Sequence, residues 1–123
     1  MRGAIPILRI ANLLLVTVNI DLDDTVAHAL QNDVLTAIER FDAKGLIVDI
    51  SGLDIVDSYV ARILAETGRM ARLMGTQTVL VGIQPEVAAT LVRMGFDMGG
   101  IRTALNVEEG LELLGHRLVP VEG

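Results

Sequence analysis

Short runs of aliphatic residues alternate along this chain with longer segments of helical periodicity. The run at residues 46–50 is rich in branched side chains, which is typical of a strand buried on both faces. Upstream of it, Val26, Leu30 and Val34 recur at four-residue spacing and indicate the apolar face of a helix. Strands that alternate with helices in this way form parallel sheets with right-handed crossovers, so the chain is predicted to be an α/β protein.

The same pattern predicts a single domain over residues 1–123, with a mostly parallel sheet of about five strands and about four helices. The amino-terminal strand is an antiparallel edge strand, joined to the next by a tight turn at residues 11–12 in which Asn12 suits a left-handed backbone. Glycines are predicted to end three helices: Gly45 the first, Gly75 the second and Gly95 the third. The predicted strands are 5–10, 13–18, 46–50, 78–81 and 101–105, and the predicted helices begin near Asp23 or Asp24, near Ser58, at Pro85 and at Asn106.

The amino-acid composition excludes several classes of function. The chain has 123 residues, 16 acidic and 10 basic side chains, and a formal net charge of −6. Hydrophobic residues make up 51%, which excludes intrinsic disorder, whereas aromatic residues make up only 2%. We expect no binding to nucleic acid, because that requires clustered basic side chains or stacking aromatics.

The chain also lacks the residues that most metal sites and membrane segments require. It has no Cys, and only His28 and His116 could supply imidazole, so we expect no metal or other cofactor. Pro6, Arg9 and Asn12 interrupt the apolar amino terminus, which leaves neither a bilayer-spanning run nor a signal peptide. We therefore expect a cytoplasmic protein that does not interact with membranes.

Polar residues cluster where the parallel strands are predicted to end, which is the edge where open α/β sheets bind ligands. The segment 49–58 carries three carboxylates, Asp49, Asp54 and Asp57, and brings Ser58 to the first turn of a helix. Serine is a favoured N-cap, and the free N–H groups at a helix start also accommodate a phosphate. Ser58 is therefore a helix cap, a phosphoacceptor, or both.

A catalytic role has little support in the sequence. Ser58 has no plausible His partner for a triad, because His28 is predicted in the middle of a helix and His116 follows the last helix. The chain has neither a Gly-rich phosphate loop with Lys and Ser or Thr nor a G-x-G-x-x-G motif. We predict that the protein is not an enzyme and does not bind ATP by itself.

The stretch from residue 46 to residue 64 resembles the phosphorylation segment of STAS domains, the domains of bacterial anti-sigma factor antagonists. Its motif is D-I-S-x-x-D-x-V-D-S over residues 49–58, which closes a buried strand and opens a helix. In simple antagonists of the SpoIIAA and RsbV type, the phosphoacceptor serine is typically followed by Ser-Gly-Leu or similar residues. Here Ser58 is followed by Tyr59 and Val60, which is more similar to the RsbS-type scaffolds of the stressosome.

The resemblance implies a STAS-like fold and a phosphorylatable scaffold. Such a protein co-assembles with RsbR-type STAS proteins. Self-association is expected separately, because the hydrophobic content of 51% is high for such a small domain. The scaffold holds an RsbT-type serine kinase until that kinase phosphorylates it, and a phosphatase resets the switch. The larger RsbR-type scaffolds usually carry Thr at the acceptor position and an additional sensor domain, for which 123 residues leave no room. By position, the expected acceptor is Ser58, and the expected supporting or partner-contacting residues are Asp57, Asp54, Tyr59 and Asp23.

Two other interpretations stay open. A simple anti-sigma factor antagonist shares the fold and Ser58, and differs only in the residues that follow this serine. A receiver-like domain phosphorylated on Asp49 is less favoured, because a domain resembling known receivers needs an acidic pair after its first strand and a Lys after its last. The chain's only Lys is Lys44, far from residues 106–108, which follow the last predicted strand.

Overall fold

The strands and helices occur in the order that the sequence pattern predicts. A computed structural model describes residues 5–19, 21–93 and 101–115. The strands in these residues are β1 (Ile7–Ile10), β2 (Leu13–Thr17), β3 (Gly45–Asp49), β4 (Gln77–Val81) and β5 (Arg102–Ala104), and the helices are α1 (Asp24–Phe41), α2 (Ser58–Leu73), α3 (Pro85–Arg93) and α4 (Val107–Leu113). The strands form one sheet in the order β1-β2-β3-β4-β5, with β1 antiparallel to β2 and every other neighbouring pair parallel.

The predicted α/β fold is confirmed, including the antiparallel edge strand at the amino-terminal side of the sheet. The observed strand bounds differ from the predicted ones by one or two residues at the ends. The helix end predicted at Gly95 lies outside the described residues. None of the helices in the part of the chain that the structure describes is long and apolar enough to cross a membrane.

Two predicted turns take a different form. Between β1 and β2 the left-handed residue is Ala11, with a φ of 54°, rather than Asn12. Helix α1 ends at Phe41 and is capped by Asp42, whose φ of 50° places it in the left-handed region. Gly45 is instead the first residue of β3. A Cβ atom at Gly45 would lie 2.5 Å from Leu13 Cδ2, so close packing between β2 and β3 explains this glycine.

The sheet separates two apolar layers of unequal size. Helices α1 and α2 pack on one face, where Val34 and Val60 are almost fully buried against strand residues such as Leu46. Helix α4 packs on the other face, with Leu111 in a smaller cluster that includes Val79. Because β2, β3 and β4 are parallel, α1, α2 and α3 all begin at the same edge of the sheet, beyond the carboxyl ends of the strands.

Candidate functional site

The loop at residues 50–57 joins β3 to α2 and combines buried apolar side chains with exposed acidic ones. Ile50, Leu53 and Val56 are 0%, 3% and 4% exposed and anchor the loop in the core. Asp54 lies between two of these anchors and is exposed. The three buried side chains hold the loop backbone against the core. The Asp54 carboxylate is therefore exposed to solvent on a loop that is itself well packed.

Hydrogen bonds fix the first half of this loop. The Ile50 N–H donates to the Val81 carbonyl at 3.0 Å, and the Ser51 N–H donates to a carboxylate oxygen of Asp49 at 2.9 Å. The side-chain amide of Gln84 donates to the Ser51 carbonyl at 2.7 Å. Ser51 is therefore tied to the segment between β4 and α3, and the Asp49 carboxylate already has a structural partner.

Helix α2 begins with Asp57, not Ser58, as its N-cap. A carboxylate oxygen of Asp57 accepts from the Val60 N–H at 2.8 Å, and the Asp57 carbonyl accepts from the Ala61 N–H at 3.0 Å. The prediction that Ser58 caps this helix is therefore wrong by one residue. Aspartate and serine are about equally favoured at an N-cap, and here the carboxylate holds the position and leaves Ser58 as the first helical residue.

The predicted site residues Ser58, Asp57, Asp54 and Asp23 are all exposed at the carboxyl-end edge of the sheet. Asp23 follows β2 and caps α1, because its carboxylate accepts from the Val26 N–H at 2.8 Å. The helix was predicted to begin near Asp23 or Asp24, and the structure shows Asp23 as the cap and Asp24 as the first helical residue. The structure places Asp23, Asp57 and Ser58 at the starts of two adjacent helices, and Asp54 in the loop that leads to the second of them.

Tyr59 makes a contact that the sequence analysis missed. Its hydroxyl lies 2.6 Å from His28 Nε2, and this hydrogen bond joins two exposed side chains of α1 and α2. The two rings are tilted by 60° with centroids 5.6 Å apart. Thirty-one positions separate the two residues, so no local pattern in the sequence could have paired them. His116, the second histidine, lies outside the described residues.

Two further candidate acceptors, Thr67 and Asp49, are less accessible than Ser58 or already engaged. Thr67 is 8% exposed, and its hydroxyl donates to the Ile63 carbonyl at 2.7 Å. Asp49, the residue that a receiver-like domain would phosphorylate, is half-buried and accepts from Ser51. Across residues 5–19, 21–93 and 101–115, no three His, Asp or Glu side chains form a group that could hold a metal ion.

The succession of elements and the anchored acidic loop before Ser58 agree with a comparison against protein families. The family model of the STAS domain matches residues 4–110. The chain belongs to the STAS domain family. The resemblance noted from residues 46–64 is therefore confirmed at the level of the family, over most of the chain.

Two solved structures are similar to this STAS domain over nearly their whole length. A serine-to-glutamate variant of RsbS from Moorella thermoacetica is 40% identical, with a TM-score of 0.81 over 92% of this chain and 96% of the other. The second is a chain in a solved structure of the stressosome, which is described as a signal integration and transduction hub. It is 39% identical, with a TM-score of 0.74 over 89% of this chain and 96% of the other.

A curated relative is considerably longer than this STAS domain. The RsbT co-antagonist protein RsbRA of Bacillus subtilis (strain 168) is 28% identical over 91 residues, which are 74% of this chain and 33% of RsbRA. The chain therefore spans about a third of the length of this curated relative.

Proposed function

We propose that this STAS domain is a phosphorylatable scaffold of a stressosome, with Ser58 as its phosphoacceptor. The observation that carries the proposal is the position of Ser58, an exposed residue that opens α2 directly after the cap supplied by Asp57. Because Asp57 already caps the helix, the Ser58 hydroxyl can be modified without loss of that cap. The identities of 40% with RsbS and 39% with a stressosome chain support the scaffold role.

The proposed partners are RsbR-type STAS proteins, further copies of this chain and an RsbT-type serine kinase. RsbRA is named a co-antagonist of RsbT, and its similarity to this chain supports a common assembly that holds this kinase. A phosphatase acting on phospho-Ser58 would restore the binding state. In this proposal the STAS domain acts in the cytoplasm, without a catalytic activity or a cofactor of its own.

Phosphorylation of Ser58 would change the charge of this edge but hardly the stability of the domain. A phosphate adds about −1.5 to −2 charges at neutral pH. The start of α2 favours negative charge by roughly 0.3–1 kcal/mol. Asp57 and Asp54 oppose it, and solvent screening keeps this repulsion comparably small because both side chains are exposed. The two contributions nearly cancel within the domain.

A kinase bound over this edge would respond more strongly to the phosphate than the domain does. The interface would have to remove water from the new charge, and an unpaired charge in an interface costs several kcal/mol. A change of about 1.4 kcal/mol already alters affinity tenfold. Release of the kinase is therefore the expected output of phosphorylation.

The direct test is to incubate the purified chain with a cognate RsbT-type kinase and ATP, followed by peptide mass spectrometry. We expect one phosphate per chain, located on Ser58 in the peptide that contains it. Ser51 is the internal competitor, since it is also exposed and lies in the same loop. Modification of Ser51 with Ser58 unmodified would refute the acceptor assignment, and incubation with ATP alone should modify neither residue.

A simple anti-sigma factor antagonist would use the same serine, so assembly size is the measurement that separates the two functions. When mixed with an RsbR-type protein, a stressosome scaffold elutes from size-exclusion chromatography in a megadalton-class complex. An antagonist instead elutes as a small complex with an anti-sigma factor and does not join the large assembly.

A further inference from the structure

The hydrogen bond between His28 and Tyr59 involves the residue that follows the proposed acceptor in the chain. Tyr59 follows Ser58 in α2, and the Cα atoms of consecutive residues are about 3.8 Å apart. The Tyr59 side chain is 44% exposed, although its hydroxyl is 2.6 Å from His28 Nε2. The ring is therefore held from one side by α1 while much of its surface still faces solvent.

Stability of the helix pair gives little reason for this contact. Helices α1 and α2 already pack through buried side chains such as Ala27 and Val60, which are 1% and 0% exposed. A hydrogen bond between two exposed groups replaces bonds that both groups would make to water, so its net contribution to folding is small. The structural effect that does follow is restriction of the Tyr59 ring to one orientation.

A fixed aromatic ring beside the acceptor is well suited to contact a partner. Tyrosine is enriched among the residues that dominate binding energy at protein interfaces. A side chain that is already ordered before binding loses less conformational freedom when the partner docks. A kinase that encloses Ser58 lies close to Tyr59, because the two residues are consecutive in the first turn of α2, although their side chains point about 100° apart around the helix.

We propose that Tyr59 is a recognition residue for the kinase and that His28 is a positioning residue, which holds the Tyr59 ring for this contact. The inference rests on the proposed function, since it deepens the description of the same site. The partner that fits is a kinase whose surface beside its active site offers a pocket for an aromatic ring. His28 acts only through Tyr59 and does not contact the phosphorylated atom.

The kinetic test measures phosphorylation of the full chain by the RsbT-type kinase for a series of variants. A contact made equally in the bound complex and in the transition state changes KM and leaves kcat unaltered. We expect KM to rise about tenfold for Tyr59→Ala, which removes the ring. We expect KM to rise about threefold for Tyr59→Phe and for His28→Ala. Both variants keep the aromatic ring but remove the hydrogen bond that fixes its orientation.

Matched variants separate positioning from a general surface effect. Asn32 lies one helical turn beyond His28 in α1 and is also exposed, so Asn32→Ala should leave KM within about twofold. His28→Gln retains a hydrogen-bonding side chain and should restore most of the wild-type KM. Because His28 is proposed to act only through Tyr59, the double variant H28A/Y59F should be no worse than either single variant.

Tyr59 also reports its own mobility without any kinase. The chain has one Tyr and no Trp, so its tyrosine fluorescence comes from Tyr59 alone. The fluorescence anisotropy should fall in His28→Ala and stay at the wild-type value in Asn32→Ala, with thermal melts of both variants unchanged.

The inference is overturned if KM is unchanged in Tyr59→Ala, if kcat falls instead of KM rising, or if the effects of His28→Ala and Tyr59→Phe add. It is also overturned if the anisotropy does not respond to His28→Ala. These results are distinct from failure of the proposed function, in which the wild-type chain itself is not phosphorylated on Ser58.

Discussion

The starts of α1 and α2 have almost the same geometry but differ in charge at one position. Asp23 caps α1 and Asp57 caps α2, and each carboxylate accepts the N–H three residues later at 2.8 Å. The next residue, the first in each helix, is Asp24 in α1 and Ser58 in α2. The first turn of α1 thus carries an acidic residue, whereas that of α2 carries none.

This difference shows what phosphorylation would do to α2. A negative charge directly after an aspartate cap is compatible with this fold, because α1 begins in that way at the same edge of the sheet. Helix starts favour such charge. Phosphorylation of Ser58 would therefore bring the start of α2 closer to that of α1, and the consequence is expected in binding to a partner more than in folding.

The largest expected effect is on kinase binding. Ser58→Asp gives α2 the same two aspartates that open α1, and the variant should fold normally. If the kinase covers this helix start, an unpaired charge there costs about 2–5 kcal/mol, so binding should weaken by at least about thirtyfold. Isothermal calorimetry with the RsbT-type kinase measures this directly.

The matched control adds the same charge to the other helix start. Thr25 is exposed in the first turn of α1, and Thr25→Asp should change kinase affinity by no more than about threefold. Equal losses in Ser58→Asp and Thr25→Asp would show that added charge anywhere along this edge weakens binding, rather than charge at Ser58 in particular. Full affinity in Ser58→Asp would contradict the charge-switch mechanism.

A second prediction concerns Gly52, where the two loops before these helices touch. A Cβ atom at Gly52 would lie 2.8 Å from the Val18 carbonyl oxygen and 3.1 Å from Asn19 Cα. Both neighbours are backbone, so Gly52→Ala must displace one loop and should cost about 1–3 kcal/mol of unfolding free energy. Urea denaturation measures this loss.

The neighbouring Ser51→Ala serves as the control for Gly52→Ala. The Ser51 contacts in this loop are made by its backbone N–H and carbonyl, so its variant should stay within about 0.5 kcal/mol of wild type. Similar stability of Gly52→Ala and wild type would mean that the two loops can move apart without cost, and that the site is less rigid than the geometry indicates.

The sequence predicted those features of the two helix starts that depend on neighbouring residues. It did not predict features that depend on contacts between residues distant in the chain. Asp23 or Asp24 was predicted to open α1 because aspartate is a favoured cap, and the structure shows that Asp23 holds that position. At α2 two adjacent favourable caps, Asp57 and Ser58, could not be ranked from propensity, and tertiary packing of the loop decides between them. The His28 contact with Tyr59 depends on how two helices pack, which no local pattern contains.

The third prediction compares the two caps. Asp23→Ala and Asp57→Ala each remove one side-chain acceptor from a helix start, so each should lower the free energy of unfolding by about 1 kcal/mol. Asparagine is an equally good cap, so Asp23→Asn and Asp57→Asn should retain most of the stability. Thermal melts of the four variants check both statements, and a harmless Asp57→Ala would contradict the assignment of Asp57 as the cap.

The smallest expected effect is that of Ser58→Ala on stability, and it separates the two roles considered for this serine. If Ser58 capped α2, its replacement by alanine would cost about 1 kcal/mol. Because Asp57 holds the cap, Ser58 occupies an exposed helical position, where alanine is the better helix former, and the change should stay within about 0.5 kcal/mol. Urea denaturation of Ser58→Ala beside Asp57→Ala resolves this difference. A loss as large as that of Asp57→Ala would return Ser58 to a capping role, in which phosphorylation would disturb the helix itself. The other outcome is that Ser58→Ala has the stability of wild type, binds the kinase and does not release it when ATP is added. That outcome would show that the switch depends on the Ser58 hydroxyl group alone.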